Sequence, residues 1–235
     1  MRLDIYLAKH FNIQSRNKAH ELIKSNKVQI NSKIVSKPSY QVEENDNIIL
    51  LEDDFYVSRA AYKLKFFLEE INLNLENKEA LDIGSSTGGF TQILLNNHVK
   101  NVTCVDVGSN QLHSSLRDNQ RITFHEKCDI RNFSTKNSFE LVTCDVSFIS
   151  IHHIINSIDV LANDIIIILF KPQFEVGVNI KRDKKGVVLD KIAIEKARIT
   201  FLETTKNLHW NLVSSAISKL QGKDGNNEEL FYFKK

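Results

Sequence analysis

Residues Ile165-Ile166-Ile167-Ile168-Leu169-Phe170 form an unbroken apolar run that stops at Lys171. It falls far short of the roughly 20 apolar residues that span a bilayer as a helix. Its length and β-branched content describe a strand buried on both faces, as inside a parallel sheet. Similar short runs recur at 80–83, 102–105, 122–124, 141–144, 212–217 and 230–233, separated by helix-like segments. That alternation predicts an α/β chain with an open, mostly parallel, Rossmann-like sheet. In such sheets ligands bind beyond the carboxyl ends of the strands, so the residues that end each run are the first candidates for function.

The first run ends in Asp82-Ile83-Gly84-Ser85-Ser86-Thr87-Gly88-Gly89-Phe90-Thr91. Gly84, Ser85, Gly88 and Gly89 are candidates for a loop that lets a ligand approach the backbone. The second run ends at Asp106, 22 positions after Gly84, where a carboxylate can accept both hydroxyls of a ribose. The pattern is G-x-x-x-G-G. It differs from the G-x-G-x-x-G of dinucleotide sites and lacks the Gly-Lys-Ser/Thr that neutralises a triphosphate. Both departures favour a nucleoside-type ligand without a pyrophosphate, and S-adenosylmethionine is the expected cofactor. Val107 adjoins Asp106, and Asp129 in Cys128-Asp129-Ile130 is placed to reach the adenine amino group. Ile130 and Asp145 complete the cofactor set, and Cys128 reads as core filler.

The chain carries a formal net charge of only +2. Residues 1–38, however, hold eight basic residues (Arg2, Lys9, Arg16, Lys18, Lys24, Lys27, Lys33, Lys37) and two acidic ones (Asp4, Glu21). Residues 39–58 hold six acidic residues and no Lys or Arg. This shift marks a domain junction near Asp53-Asp54-Phe55, giving domains at 1–54 and 61–235 with a linker at 55–60. In the first domain Leu3, Tyr6 and Leu7 recur at helical spacing. After a break at Asn12-Ile13-Gln14, Ser15 caps a second helix with Ala19, Leu22 and Ile23 on its apolar stripe. Residues 28–35 alternate around an Asn31-Ser32 turn as a hairpin, and 47–51 adds a strand. A solvated helix face usually mixes charges. A run of bases with so little acid suits the tracking of nucleic-acid phosphates, by Arg2, Arg16, Lys18, Lys24, Lys27, Lys33 and Lys37.

Arg2-Leu3-Asp4, Ser15-Arg16-x-Lys18-Ala19, Leu22-Ile23, Lys27-Val28-x-Ile30-Asn31 and Lys37-Pro38-Ser39 resemble the ribosomal-protein-S-four-like RNA-binding domain. The resemblance implies a small α+β unit that grips structured RNA by shape and phosphate. Farther on, Asp82-Ile83-Gly84, Asp145-Val-Ser-Phe-Ile-Ser150, Lys171-Pro-Gln-Phe-Glu175 and Gly225-Asn-Asn-Glu228 resemble the TlyA family. These are ribosomal RNA cytidine 2′-O-methyltransferases, also labelled haemolysins, with a class I, S-adenosylmethionine-dependent domain similar to that of FtsJ. The resemblance implies a catalytic tetrad of Lys63, Asp145, Lys171 and Glu228. Glu229, next to Glu228, is the alternative acidic member, although Gly-Asn-x-Glu selects Glu228. Residues 108–112 lack the aromatic that relatives carry after the glycine. Arg59 and the polar loop 179–186, with Lys181 and Arg182, are further candidates for contact with RNA, the loop being expected to be mobile, with a merely solvated loop as the alternative. The chain ends seven residues after Glu228, as in the compact subtype, which implies large-subunit RNA as the target.

Cys104, Cys128 and Cys144 are odd in number and form no C-x-x-C pair, which favours a reducing compartment over a disulfide framework. The N-terminus shows no secretory signal, so a cytoplasmic location is expected. The eight His residues contain no H-E-x-x-H, and the scheme requires no metal. A monomer acting on ribosomal RNA is the expected form. Two other functions compete. A membrane-active cytolysin lacks a spanning or strongly amphipathic basic segment here, and a non-catalytic ribosome assembly factor would not need the tetrad or the glycine loop.

Overall fold

In this computed structural model the apolar run lies deep inside a sheet. The structure describes residues 1–11, 13, 15–31, 33–50 and 56–235. The expected helix break, hairpin turn, end of the third strand and domain junction reach residues 12, 14, 32, 51 and 53–55, which lie outside the described residues. By contacts the chain divides into two units, Met1–Phe55 and Tyr56–Lys235.

The first unit is built from α1 (Leu3–His10), α2 (Arg16–Lys24), β1 (Val28–Ile30), β2 (Lys33–Ile34) and β3 (Ile48–Leu50). Ser15 caps α2, its side chain accepting from the Lys18 N–H at 3.2 Å. β1 and β2 pair antiparallel through Ile30↔Lys33, and Asn31 has φ +50°. β3 pairs antiparallel with the other side of β1. Leu3, Leu7, Ala19, Ile23, Val28 and Ile30 bury together, so the helical and strand periodicities both point at one core.

The second unit runs α3 (Arg59–Ile71), β4 (Glu79–Ile83), α4 (Gly89–Asn96), β5 (Asn101–Val105), α5 (Ser114–Arg117), β6 (Ile122–His125) and β7 (Phe139–Cys144). It continues with α6 (Ile155–Leu161), β8 (Ala162–Phe170), α7 (Pro172–Glu175), α8 (Lys191–Asn207), β9 (Asn211–Ile217) and β10 (Glu229–Lys234). Their sheet has the order β6-β5-β4-β7-β8-β10-β9. β4 to β8 are parallel, and β10 runs antiparallel to both β8 and β9. β8 shows why it had to be so apolar. Ile165, Ile167 and Leu169 join one core with residues of α3 and α4, including Leu64, Phe67 and Ile93. Ile166, Ile168 and Phe170 join the opposite core with Phe201, Phe231 and Phe233. Each such side chain contributes about 1.5–3 kcal/mol relative to exposure.

Residues 55–60 were expected to be a linker. Phe55 lies outside the described residues, but Tyr56 and Val57 are buried in the second unit's core and Arg59 opens α3. The aromatic ring of Tyr56 packs edge-on to Tyr62 at 4.8 Å, so this stretch belongs to the fold.

Candidate active site

β4, β5 and β7 end side by side, and a cavity of about 380 Å³ opens beyond their carboxyl ends. Of the sequence-derived cofactor residues, Gly84, Asp106, Val107, Asp129, Ile130 and Asp145 line it. Gly84 has φ +76°, and a Cβ there would lie 2.9 Å from the Asp145 carbonyl oxygen. Only a glycine lets the turn after β4 run this close to the end of β7. Asp106 is buried and accepts from two backbone amides, Ser86 N–H at 2.8 Å and Gly108 N–H at 2.7 Å, one on each oxygen. Each oxygen keeps a second lone pair, so the carboxylate is oriented and still able to take a diol. Asp129 also lines the cavity, held by Arg131 through Nη2 at 2.6 Å and the backbone N–H at 2.9 Å. The Arg131 guanidinium holds its carboxyl below the usual range.

Three expected residues do not line this cavity. Gly88, at φ +92°, begins α4 where a Cβ would collide with Leu112 and Leu116, and a Cβ on Gly89 would lie 3.0 Å from the Ala61 backbone nitrogen. Both glycines permit close packing behind the loop. Ser85 is buried and does not line the cavity. Ser86, Gln111, Ser147 and Phe148 were missed and do line it. Ser86 is a non-glycine residue at φ +48°, for which the sequence offers no signal. Cys128, expected as core filler, is half-buried, packs against the core and also lines the cavity, whereas Cys104 and Cys144 are buried, their thiols pushed up to about 12 by burial.

Beside this cavity the four tetrad residues come together as two ion pairs. Lys63, on α3, donates to Glu228 just ahead of β10. Lys171, at the end of β8, lies 2.5 Å from Asp145 and donates to Ser147 Oγ at 2.9 Å. Lys63, Lys171 and Glu228 are all buried. Burial pushes the Asp145 carboxyl up, while Lys171 and Lys63 pull it down and Glu228 pushes it further up, so the two pairs feel one another. Gln173 Nε2 donates to the other Glu228 oxygen at 3.1 Å. The register Glu229↔Phe170 brings Glu228 to the level of Lys171. Glu229 binds Arg198 instead, at 2.8 and 3.0 Å, so its carboxylate is engaged elsewhere.

Another carboxyl, on Asp82, is fully buried beneath the loop, accepting from Thr91 Oγ1 at 2.6 Å and Thr143 Oγ1 at 2.9 Å. Burial raises it to about 6.

The expected RNA-contacting residues are differently placed. Arg2 and Arg16 both donate to the buried Asp4, at 3.0 and 2.9 Å, and hold its carboxyl down at about 2. Lys18 pairs with Glu21 at 2.9 Å. Lys24, Lys33 and Lys37 are exposed, and Lys27 is half-buried. Arg59 is exposed and donates to Gln221 O at 3.3 Å, and Lys181 is exposed. Arg182 corrects the expectation. Its guanidinium donates to the carbonyls of Gln173, Gly177, Val178 and Ile180 at 2.8–3.2 Å, so it staples the loop it was expected to leave mobile. Asp183 adds bonds from Lys185 N–H and Val187 N–H.

Residues 56–235 match the FtsJ-like methyltransferase family and residues 1–48 match the S4 domain. A 23S rRNA (cytidine-2′-O)-methyltransferase TlyA from Campylobacter jejuni is 49% identical over 252 residues, covering 99% of each chain. The chain belongs to the TlyA family. Hemolysin A from Brachyspira hyodysenteriae is 35% identical, again over 99% of each chain. A solved structure of a hemolysin candidate from Streptococcus thermophilus superimposes with a TM-score of 0.72 and 31% identity, covering 100% of this chain and 88% of that one. This TlyA-family chain is therefore a methyltransferase that carries an S4 domain.

Proposed function

We propose that this methyltransferase transfers the methyl group of S-adenosylmethionine to the 2′-hydroxyl of a cytidine ribose in large-subunit ribosomal RNA, in the cytoplasm. The observation that carries the reading is the double placement of Asp145, which lines the cavity and also holds Lys171. A ligand in the cavity and an acceptor at Lys171 would meet at one carboxylate. The cavity suits the cofactor. Its size falls within the usual range of small-molecule sites, apolar walls such as Ile83 and Val105 suit a nucleoside, and Asp106 is oriented for a ribose diol.

When bound, the cofactor supplies an already activated methyl group. A ribose hydroxyl is a poor nucleophile at neutral pH, so the protein must align it and manage one proton. Lys171, tethered by Asp145 and Ser147, has a remaining Nζ position with which to orient the hydroxyl and offset the negative charge developing on it. Asp145, whose carboxyl burial pushes up, is suited to take a proton passed through Lys171. Lys63 and Glu228 form the second pair, which keeps the buried site close to electroneutral. The exposed Lys24, Lys33 and Lys37 of the S4 domain supply sequence-independent attraction to phosphate. The name Hemolysin A attaches to one relative. Among the described residues no helix is long and apolar enough to cross a membrane.

The test is a map of ribose methylation on ribosomal RNA from cells with and without the protein. A cytidine 2′-O-methyl group on large-subunit RNA that disappears with the protein supports the reading. Identical maps contradict it.

A further inference from the structure

Residues 145–151, which follow β7, meet α7 at both of its ends. At the amino end Lys171, the residue before Pro172, pairs with Asp145 and donates to Ser147 Oγ at 2.9 Å. At the carboxyl end Glu175 Oε2 accepts from Ser150 Oγ at 2.6 Å and Glu175 Oε1 accepts from the Ile151 N–H at 3.0 Å. Between the two grips the largely exposed Phe148 ring comes within 5.3 Å of the Phe174 ring. Positions 171 and 175 lie about 6 Å apart along a helix. One helical turn thus presents a cation and a carboxylate that hold the same loop.

That loop serves two purposes. Val146, Ser147, Phe148 and Ile149 form a wall of the cavity, while Asp145 and Ser147 direct Lys171. The loop also stores strain, because Phe148 is held at φ +65°. A non-glycine residue there is strained and persists only where the rest of the loop holds it. The Glu175 grip lies immediately on the C-terminal side of that residue, and the Lys171 grip on the other.

We propose that Glu175 is a positioning residue for methyl transfer: by binding Ser150 and Ile151 it fixes 145–151 in the one conformation that both walls the cofactor cavity and aims Lys171. The inference rests on the methyl-transfer reading above. Glu175 does not line the cavity. What it supplies is hydrogen-bond acceptance in a fixed place. Glutamine can still accept from the Ile151 N–H and bond the Ser150 hydroxyl, whereas alanine loses both bonds.

The experiment compares full-length wild type, Glu175→Ala, Glu175→Gln and Ser150→Ala by methyl transfer, S-adenosylmethionine calorimetry and amide hydrogen exchange. In Glu175→Ala, kcat falls about 10–100-fold and the cofactor Kd rises about 3–10-fold, with KM for RNA within about twofold. Exchange quickens across 145–151 while β4 and β8 stay protected. Glu175→Gln keeps kcat within about fivefold of wild type, and Ser150→Ala is intermediate. Unchanged kcat and Kd in Glu175→Ala overturn the proposal. So does faster exchange across the whole second unit with normal turnover per folded molecule, or a glutamine variant as impaired as alanine. If wild type methylates no ribosomal RNA, the functional reading fails by itself, and the exchange and cofactor affinities still decide whether Glu175 holds the loop.

Discussion

Lys171 is the side chain on which the proposed chemistry turns, and its surroundings dictate how its loss should look. Lys171→Ala is expected to lower methyl transfer by at least about 10²-fold, the usual scale for a group that manages a proton. It also leaves Asp145 buried without its cation, so the thermal midpoint should fall as well. Methyl incorporation measured per folded molecule separates the two effects. Asp82 gives a prediction of a different kind. Its folded value of about 6 lies above the ordinary 3.8. The protonated form therefore contributes stability that is present below about pH 4 and lost as pH rises through about 6, on the order of 3 kcal/mol. Asp82→Asn removes this dependence, so its melting temperature relative to wild type should climb between pH 4 and 7; a constant offset in melting scans would contradict the assignment. Asp106 was legible from its offset after Gly84. The Asp82 network was not, because its partners Thr91 and Thr143 come from separate elements and nothing local in sequence announces a buried carboxyl.

Among the elements, the central strands β4, β7 and β8 could be read because burial on both faces leaves no polar alternation to confuse them. α8 could not. Only Phe201 and Thr205 of its residues are buried, and Ile192 and Ile199 face outward at 83% and 47% exposure, which blurs the 3.6-residue stripe. In the loop 179–186 one base has a structural task that its sequence did not announce. Its bases suggested a mobile contact with RNA, yet the Arg182 guanidinium is spent on four carbonyls. Arg182→Ala should therefore disturb kcat and loop protection while leaving the salt dependence of RNA binding unchanged. Lys24→Ala, on an exposed helix end, should reduce the slope of log affinity against log salt by about 0.7–0.9, with kcat unaffected at saturating RNA. Binding titrations at several salt concentrations check both.

At the scale of the molecule, a net charge of +2 concealed a basic segment at 1–38 and an acidic one at 39–54 that cancel within the first unit, ahead of a nearly neutral catalytic unit. Even the basic segment 1–38 is more compensated than its sequence suggests, since both its acids lie against bases, Asp4 on Arg2 and Arg16, Glu21 on Lys18. The division of labour, with an S4 domain on one side and an FtsJ-like domain on the other, leads to one chemical claim about the whole chain. It is tested most directly by incubating the purified protein with large-subunit ribosomal RNA and labelled S-adenosylmethionine, then locating the label by alkaline hydrolysis and nucleoside analysis. The account predicts label on a cytidine ribose, as an alkali-resistant 2′-O-methyl linkage lost in Lys171→Ala. Label on a base, or transfer that survives Lys171→Ala undiminished, would contradict it.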